Sequence, residues 1–144
     1  MGGLAMSFSK KRTQAYIVPI SPDELTHSDR AWLDKALEKG YDGLDKGYIL
    51  DKAVNGFCQI WRLGDSEGII ITEIIQRDGG LQLWIPHIAG RGIIKKLDYF
   101  DSFFAEYGQR HNCTKAIAAT DSRGLQKVYS KRWKETAKIY ERRL

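Results

Sequence analysis

No apolar run in this 144-residue chain approaches the ~18 residues that a membrane-spanning helix needs, so no membrane span is expected. The start, Met1-Gly2-Gly3-Leu4-Ala5-Met6, holds no h-region of a secretory signal. Met6 also stands where N-myristoylation requires Ser or Thr. Cysteine is scarce: Cys58 and Cys113 are the only two, with no C-x-x-C spacing. The expectation is a reduced, intracellular protein whose thiols are small core residues. His27, His87 and His111 with two separated cysteines give no zinc spacing, so no metal is expected. There is no G-x-S-x-G nucleophile elbow. The neighbours His111-Asn112-Cys113 are poorly placed for a Cys–His pair and read as a helix-end loop. Internal repeats and low-complexity tracts are absent as well.

What is present is an ordinary globular composition, 42% hydrophobic and 28% charged, in a chain long enough for one domain with a real core. Residues 1–13 read as a flexible N-terminal arm, Gly-rich and then basic through Ser9-Lys10-Lys11-Arg12, ahead of a single domain over 14–144. The charge is uneven. Residues 1–109 hold 13 Lys/Arg against 15 Asp/Glu, and residues 110–144 hold 10 against 3, which together make the net +5. A basic C-terminal quarter fits an anionic partner or a solvated surface.

The hydrophobic periods set the elements. Ala15 to Ile20 reads as a strand, and Ser21-Pro22-Asp23 as a turn. Ser28 or Asp29 caps a helix to about Lys39, with Trp32, Leu33, Ala36 and Leu37 on one face and Gly40 as its stop. A short helix fits Asp45 to Asn55. The period then changes to strands at Phe57–Leu63, Ile69–Gln76 and Leu81–Ile88, joined by Gly64–Gly68 and by Asp78-Gly79, a tight hairpin signal. These three form an antiparallel meander. Ile93, Ile94, Leu97, Phe100, Phe103, Phe104 and Tyr107 make one stripe of a long helix. Lys115–Thr120 follows as a strand, Leu125–Lys131 as a short helix and Trp133–Glu141 as a final strand.

Between the meander and the long helix lies His87-Ile88-Ala89-Gly90-Arg91-Gly92. A glycine-containing turn from strand into helix lets backbone N–H groups converge, and the helix N-terminus adds about half a positive charge. That is how a fold holds a phosphate. The spacing H-x-x-G-x-G resembles the Q/R-x-x-G-x-G/A loop with which the GNAT superfamily of acyl-CoA N-acyltransferases holds the coenzyme A pyrophosphate. The element order β-α-α-β-β-β-(Gly turn)-α-β-α-β resembles the GNAT fold over essentially the whole domain. Three stretches are similar to small GNAT-like proteins of bacteriophages: Asn55–Trp61 running on to Ile71–Ile74, the Ala89–Gly92 turn, and Arg123–Leu125 through Trp133–Glu135 with the Glu141–Leu144 end. The resemblance implies an α/β fold of GNAT type: a mixed, mainly antiparallel sheet flanked by helices and splayed at the glycine turn.

The resemblance also implies site residues. His87, Ile88, Ala89, Gly90, Arg91 and Gly92 would hold acetyl-CoA or CoA, with His87 departing from the usual Gln or Arg; otherwise His87 is an ordinary strand-end histidine. A transferase needs a base for the amine and an acid for the thiolate. Glu73 alternates with Ile69, Ile71 and Ile75, and a carboxylate in an apolar row acquires a raised pKa suited to a base. The other readings of Glu73 are a partly solvated face or a pair with a nearby cation. Strand Leu81–Ile88, where many GNAT enzymes place a glutamate, has no acidic residue. Tyr129 is the candidate acid, yet Tyr129–Trp133 puts the aromatic one residue early and Arg132 in place of the turn glycine; the alternative is a core aromatic.

Arg123, Lys127 and Lys131 share one side of the short helix at i, i+4, i+8, extended by Arg132, Lys134 and Lys138. This edge fits a CoA phosphate, an acidic protein face or, non-specifically, DNA; without an aromatic platform it does not read sequence. The missing acid, the shortened Tyr129 turn and the phage resemblance imply a bacteriophage protein of GNAT fold. On that reading it is a non-catalytic or degenerate virion or assembly component (structural, internal or connector-associated). Its partner is then the acidic face of another virion protein, in the host cytoplasm or the particle. The alternative, favoured by the retained Gly90-x-Gly92 turn, is an acetyl-CoA-dependent N-acetyltransferase acting on an amine.

Overall fold

Among the described residues six strands form one sheet whose spatial order is also their chain order. The computed structural model describes residues 6–7, 16–38, 46–77, 79–118, 125–127, 129, 133–134 and 142. The strands are β1 (Met6–Ser7), β2 (Tyr16–Ile20), β3 (Gln59–Leu63), β4 (Gly68–Arg77), β5 (Gly80–Gly90) and β6 (Cys113–Ala118). The first five pair antiparallel. β6 runs parallel to β5, because the helix between them returns the chain to the starting end. The helices are α1 (His27–Glu38), α2 (Lys46–Val54) and α3 (Leu97–Arg110), with short 3-10 turns at Pro22–Glu24 and Ile94–Lys96. This is the mixed, mainly antiparallel α/β architecture read from the sequence. Of the N-terminal arm, Met6–Ser7 pairs with Tyr16–Ile17 at the sheet edge.

The sheet is covered on both faces. Ile69-Ile70-Ile71 is a continuous apolar run inside an antiparallel sheet, which a one-sided strand does not show. Ile70 packs with Trp61, Leu83, Ile85 and the buried stripe of α3. Ile69 and Ile71 pack on the opposite face with Leu33 of α1 and Ile49 of α2. Trp61 anchors the α3 side. Its ring is met edge-on by Phe103, Phe104 and Tyr107 at 5.5, 5.5 and 4.9 Å. Its buried indole N–H donates to Thr72 Oγ1 at 2.8 Å, so the polar handle is satisfied.

Three expectations move. The cap of α1 is Thr26, not Ser28 or Asp29. Thr26 Oγ1 accepts the Asp29 N–H at 3.0 Å, and Asp29 Oδ2 accepts the Thr26 N–H at 2.9 Å, a reciprocal box. Ile94 leaves the buried stripe and is exposed. Residues 91–93 form a turn and 94–96 a 3-10 turn, so the 3.6-residue phase begins only at Leu97. Trp133 and Lys134, the start of the expected final strand, are not in a strand, and 135–141 lie outside the described residues. Of the short helix, Leu125–Lys127 and Tyr129 are helical.

The feature that places a site is where β5 and β6 part. Their pairing runs from Leu81 to Ile85 and stops. Pro86 follows, which has no N–H to give a neighbour. Between the pairs Ile71–His87 and Glu73–Trp84, β5 also carries one residue more than β4. A bulge of this kind bends a strand and re-aims its side chains. From Pro86 to Gly90, β5 has β4 alone as its partner among the described residues. The fork therefore opens before the glycine turn, and the turn lies at the far end of its β5 arm.

Candidate functional site

The two glycines of the turn do different work. Gly90 is still in the sheet, opposite Gly68. A Cβ on Gly90 would lie 3.1 Å from the Glu67 carbonyl oxygen and from the Gly68 Cα, so glycine is needed there for strand approach. The Arg91 N–H is also committed, donating to the Glu67 carbonyl at 2.9 Å. Gly92 is the residue that shapes a cradle: its φ is +62°, and nothing lies within 4 Å of where a Cβ would stand. The N–H groups of Lys96 and Leu97 donate within the 3-10 turn, to the Ile93 and Ile94 carbonyls, so the backbone donors near Gly92 lie ahead of them. Arg91 and Lys95 are exposed beside them. Lys96 Nζ sits 3.7 Å from Glu67 Oε1. An open backbone concavity with cations at its rim fits a diphosphate.

His87 is not part of that concavity. It stands opposite Ile71, hence on the α1/α2 face, and is 2% exposed. Ile88 stands opposite Ile70 and turns toward α3. Ala89, opposite Ile69, continues the strand.

Between α3 and the sheet, beside the fork, lies a cleft. Ile85, Ile88, Ala116 and Ile70 form its sheet side, Leu97, Asp98, Phe100, Asp101, Phe104 and Ala105 its α3 side, and Tyr129 with Trp133 its third wall. It measures about 610 Å³, counting the space open to solvent at its mouth. Tyr129 therefore lines the cleft. Burial, followed by the charge of Asp101, pushes its hydroxyl up to about 12. The phenol keeps its proton at neutral pH. Trp133 stacks beside it with ring centroids 5.1 Å apart, and its indole N–H donates to Asp101 Oδ1 at 3.0 Å.

Glu73 stands opposite Trp84, one residue before β6 pairing ends at Ile85. It thus marks the fork, but from the α1/α2 face. It is not an isolated carboxylate in an apolar row: Glu73 Oε2 accepts from Lys52 Nζ at 2.7 Å. Burial pulls the Lys52 ammonium down, yet the hydrogen bond and charge of Glu73 outweigh it, and the net shift is upward. Lys52 also lies over the Tyr48 ring, 5.3 Å from its centre. Beneath this pair, burial pushes the Cys58 thiol up to about 11, which leaves it protonated and unreactive as a small core residue. Among the described residues no group of three or more metal-ligating side chains occurs, and no helix is long and apolar enough to cross a membrane.

Sequence reasoning missed Lys52, Asp101 and Trp133. Lys52 follows Tyr48 by four on α2, and Asp98, Asp101 and Ala105 follow at helical spacing, so shared faces were readable. Which strand or helix those faces meet is a tertiary fact. Of the basic edge, Lys127 is exposed, while Arg123 and Lys131 lie outside the described residues.

No protein-family model and no curated protein matches the chain. Solved structures do. A ribosomal-protein-alanine N-acetyltransferase from Brucella melitensis biovar Abortus 2308 is similar with a TM-score of 0.65 at 16% identity, over 90% of this chain and 99% of that one. A GCN5-related N-acetyltransferase from Ralstonia eutropha JMP134 gives 0.62 at 15%, over 89% and 97%. A predicted acetyltransferase from Clostridium acetobutylicum, with acetyl-CoA, gives 0.62 at 13%, over 90% and 96%. At these identities the likeness is one of fold, and the fold is that of the GNAT superfamily.

This overturns the reading as a degenerate bacteriophage virion or assembly component. These three similar structures are acetyltransferases, which favours an enzyme over a particle component. Of the two departures from the GNAT pattern, the stretch 81–88 without an acid has Glu73 across the ladder from Trp84, and Tyr129 lines the cleft despite the altered turn.

Proposed function

We propose that the protein is an acetyl-CoA-dependent N-acetyltransferase acting on an amine. One placement carries this reading. The Gly92 cradle, the apolar cleft and Tyr129 lie on the α3 side of the fork, and Glu73 stands at the same fork on the other side. A cofactor lying along the cleft would bring its acyl end to the gap between β5 and β6, where an amine approaching from the α1/α2 side meets Glu73.

Acetyl-CoA, when bound, supplies the activated acyl carbon and a thiolate leaving group. The chain's own residues do the rest. The N–H groups around Gly92, with Arg91 and Lys95, hold the diphosphate. Glu73 takes the proton that the amine releases as its nitrogen bonds to the acyl carbon. The Tyr129 hydroxyl donates a hydrogen bond to the sulfur as the carbon–sulfur bond breaks, which a phenol that stays protonated is able to do. Lys52 engages Oε2 of Glu73, so the proton goes to Oε1. The apolar walls exclude water that would compete with the amine.

Calorimetry with CoA and acetyl-CoA tests the reading, on wild type and on Gly92→Ala. The added methyl occupies the open concavity, and φ of +62° costs about 1–2 kcal/mol for a non-glycine residue without unfolding the chain. Wild type should bind both ligands and the variant should bind them weakly. A wild type that binds neither would end the acetyltransferase reading; equal binding by both would remove Gly92 from the cradle.

A further inference from the structure

We propose that Asp101 is a positioning residue for the Tyr129 hydroxyl, acting through Trp133. The inference rests on the acetyltransferase reading and names a member of the same site. Three contacts make one chain of support. Trp133 has one polar hydrogen on its ring, and it goes to Asp101 Oδ1 at 3.0 Å. The Trp133 backbone N–H donates to the Tyr129 carbonyl at 2.7 Å, which fixes the two residues one helical turn apart. Their rings then sit 5.1 Å apart at 53°. Asp101 is on α3, which Phe103, Phe104 and Tyr107 lock against Trp61 in the sheet. The segment carrying Tyr129 is thereby tied to the α3 wall of the cleft.

The bond also explains why a carboxylate is found among apolar cleft residues. An indole N–H held in an apolar wall needs an acceptor. An ionised acceptor makes the stronger bond. Its charge has a second effect. Among the described residues, the charged ones that line this cleft with Tyr129 are Asp98 and Asp101, both from α3; the described lining from β4, β5 and β6 is Ile70, Ile85, Ile88 and Ala116, all uncharged. Burial first and this negative neighbour second disfavour a phenolate, so Tyr129 remains a donor at neutral pH. Asp101 itself takes no proton from the substrate and gives none.

Two variants separate bond from charge. Asp101→Asn keeps an oxygen for Trp133 and removes the charge; Asp101→Leu removes both. The first readout is the alkaline ultraviolet difference titration of Tyr129, isolated by subtracting the Tyr129→Phe protein. Asp101→Asn, which keeps the volume and loses the charge, should titrate Tyr129 at lower pH than wild type. The second readout is steady-state kinetics with acetyl-CoA and an amine acceptor. Asp101→Leu should lose kcat by up to about 10²-fold, the scale of a misplaced catalytic group, while Asp101→Asn recovers most of that loss. The alkaline limb of the Asp101→Asn profile should move to lower pH. An unchanged Tyr129 titration in Asp101→Asn overturns the proposal, whether or not the protein acetylates anything. Equal kcat in Asp101→Leu and wild type overturns it too. A wild type that binds no CoA overturns the acetyltransferase reading instead, and the titration still decides whether Asp101 governs Tyr129.

Discussion

Asp29 is fully buried and charged, a combination that is costly unless every oxygen is engaged. Arg62 Nη2 and Nε donate to Oδ2 at 2.7 and 3.0 Å, Nε also reaches Oδ1 at 3.2 Å, the Thr26 N–H donates to Oδ2 at 2.9 Å, and the Ser66 side chain adds a further hydrogen bond. Burial alone would push the Asp29 carboxyl up. Its hydrogen bonds to Arg62 and the Thr26 backbone outweigh that, and the net shift is downward from 3.8. A depressed acid stabilises the fold fully above its unfolded value and loses that contribution as pH falls through the folded value. Removing one partner of a buried pair costs about 3–5 kcal/mol. Asp29→Ala should therefore lose about 3 kcal/mol in urea titration at pH 7, with the gap to wild type closing below about pH 3.8. A gap that stays constant down to pH 2 would remove Asp29 from the acid response. The spacing Thr26-x-x-Asp29 was legible as a box signature. Arg62 lies 33 positions away and carried no such mark. Gly90 and Gly92 teach the same lesson at the turn. Both read as phosphate-loop glycines, and only the backbone geometry shows that Gly90 serves the Gly68 approach. Gly90→Ala should accordingly cost about 1–3 kcal/mol by overpacking, measured by denaturation, with no direct effect on the cradle.

At the scale of elements, α3 is the part most completely written in the sequence. Leu97, Phe100, Phe103, Phe104 and Tyr107 repeat at helical spacing and are all buried. Periodicity is strong evidence where one face meets a core. It fails at the helix start, where Ile94 follows the spacing but sits in a tighter turn. The strands were legible for a similar reason, and their ends were not, because pairing partners set strand length. β5 extends to Gly90 only because Gly68 lets it. The fork depended on Pro86, a residue whose missing N–H was visible all along but whose neighbour was unknown. The packing of α3 on Trp61 makes a direct prediction. Phe103→Ala removes a ring that meets Trp61 at 5.5 Å in a fully buried site. It should destabilise the protein by about 3–5 kcal/mol, seen as a lower urea midpoint with an unchanged slope. A loss under about 1 kcal/mol would mean that the α3 core is loosely packed.

At the scale of the whole molecule, the sheet acts as a partition. The cradle and cleft belong to the α3 side, and Glu73 with Lys52 belongs to the α1/α2 side. The two meet only at the fork. From Trp84, opposite Glu73, to Gly90 the strand advances six residues, about 20 Å at 3.3 Å per residue. Groups so far apart with no shared partner should act independently. Cofactor affinity and chemical rate should therefore be separable by mutation. Glu73→Gln should lower kcat by about 10²-fold, the scale of a lost general base, and leave the calorimetric Kd for CoA at its wild-type value. Gly92→Ala should do the reverse, raising the Kd for CoA while kcat at saturation changes little. In the double variant the two losses in kcat/KM should multiply. If Glu73→Gln weakens CoA binding as much as Gly92→Ala does, the carboxylate is on the cofactor side of the sheet and is not the base. If it leaves the rate unchanged on an amine the wild type acetylates, the proton leaves by another group, and the Lys52–Glu73 pair is a strut between α2 and β4.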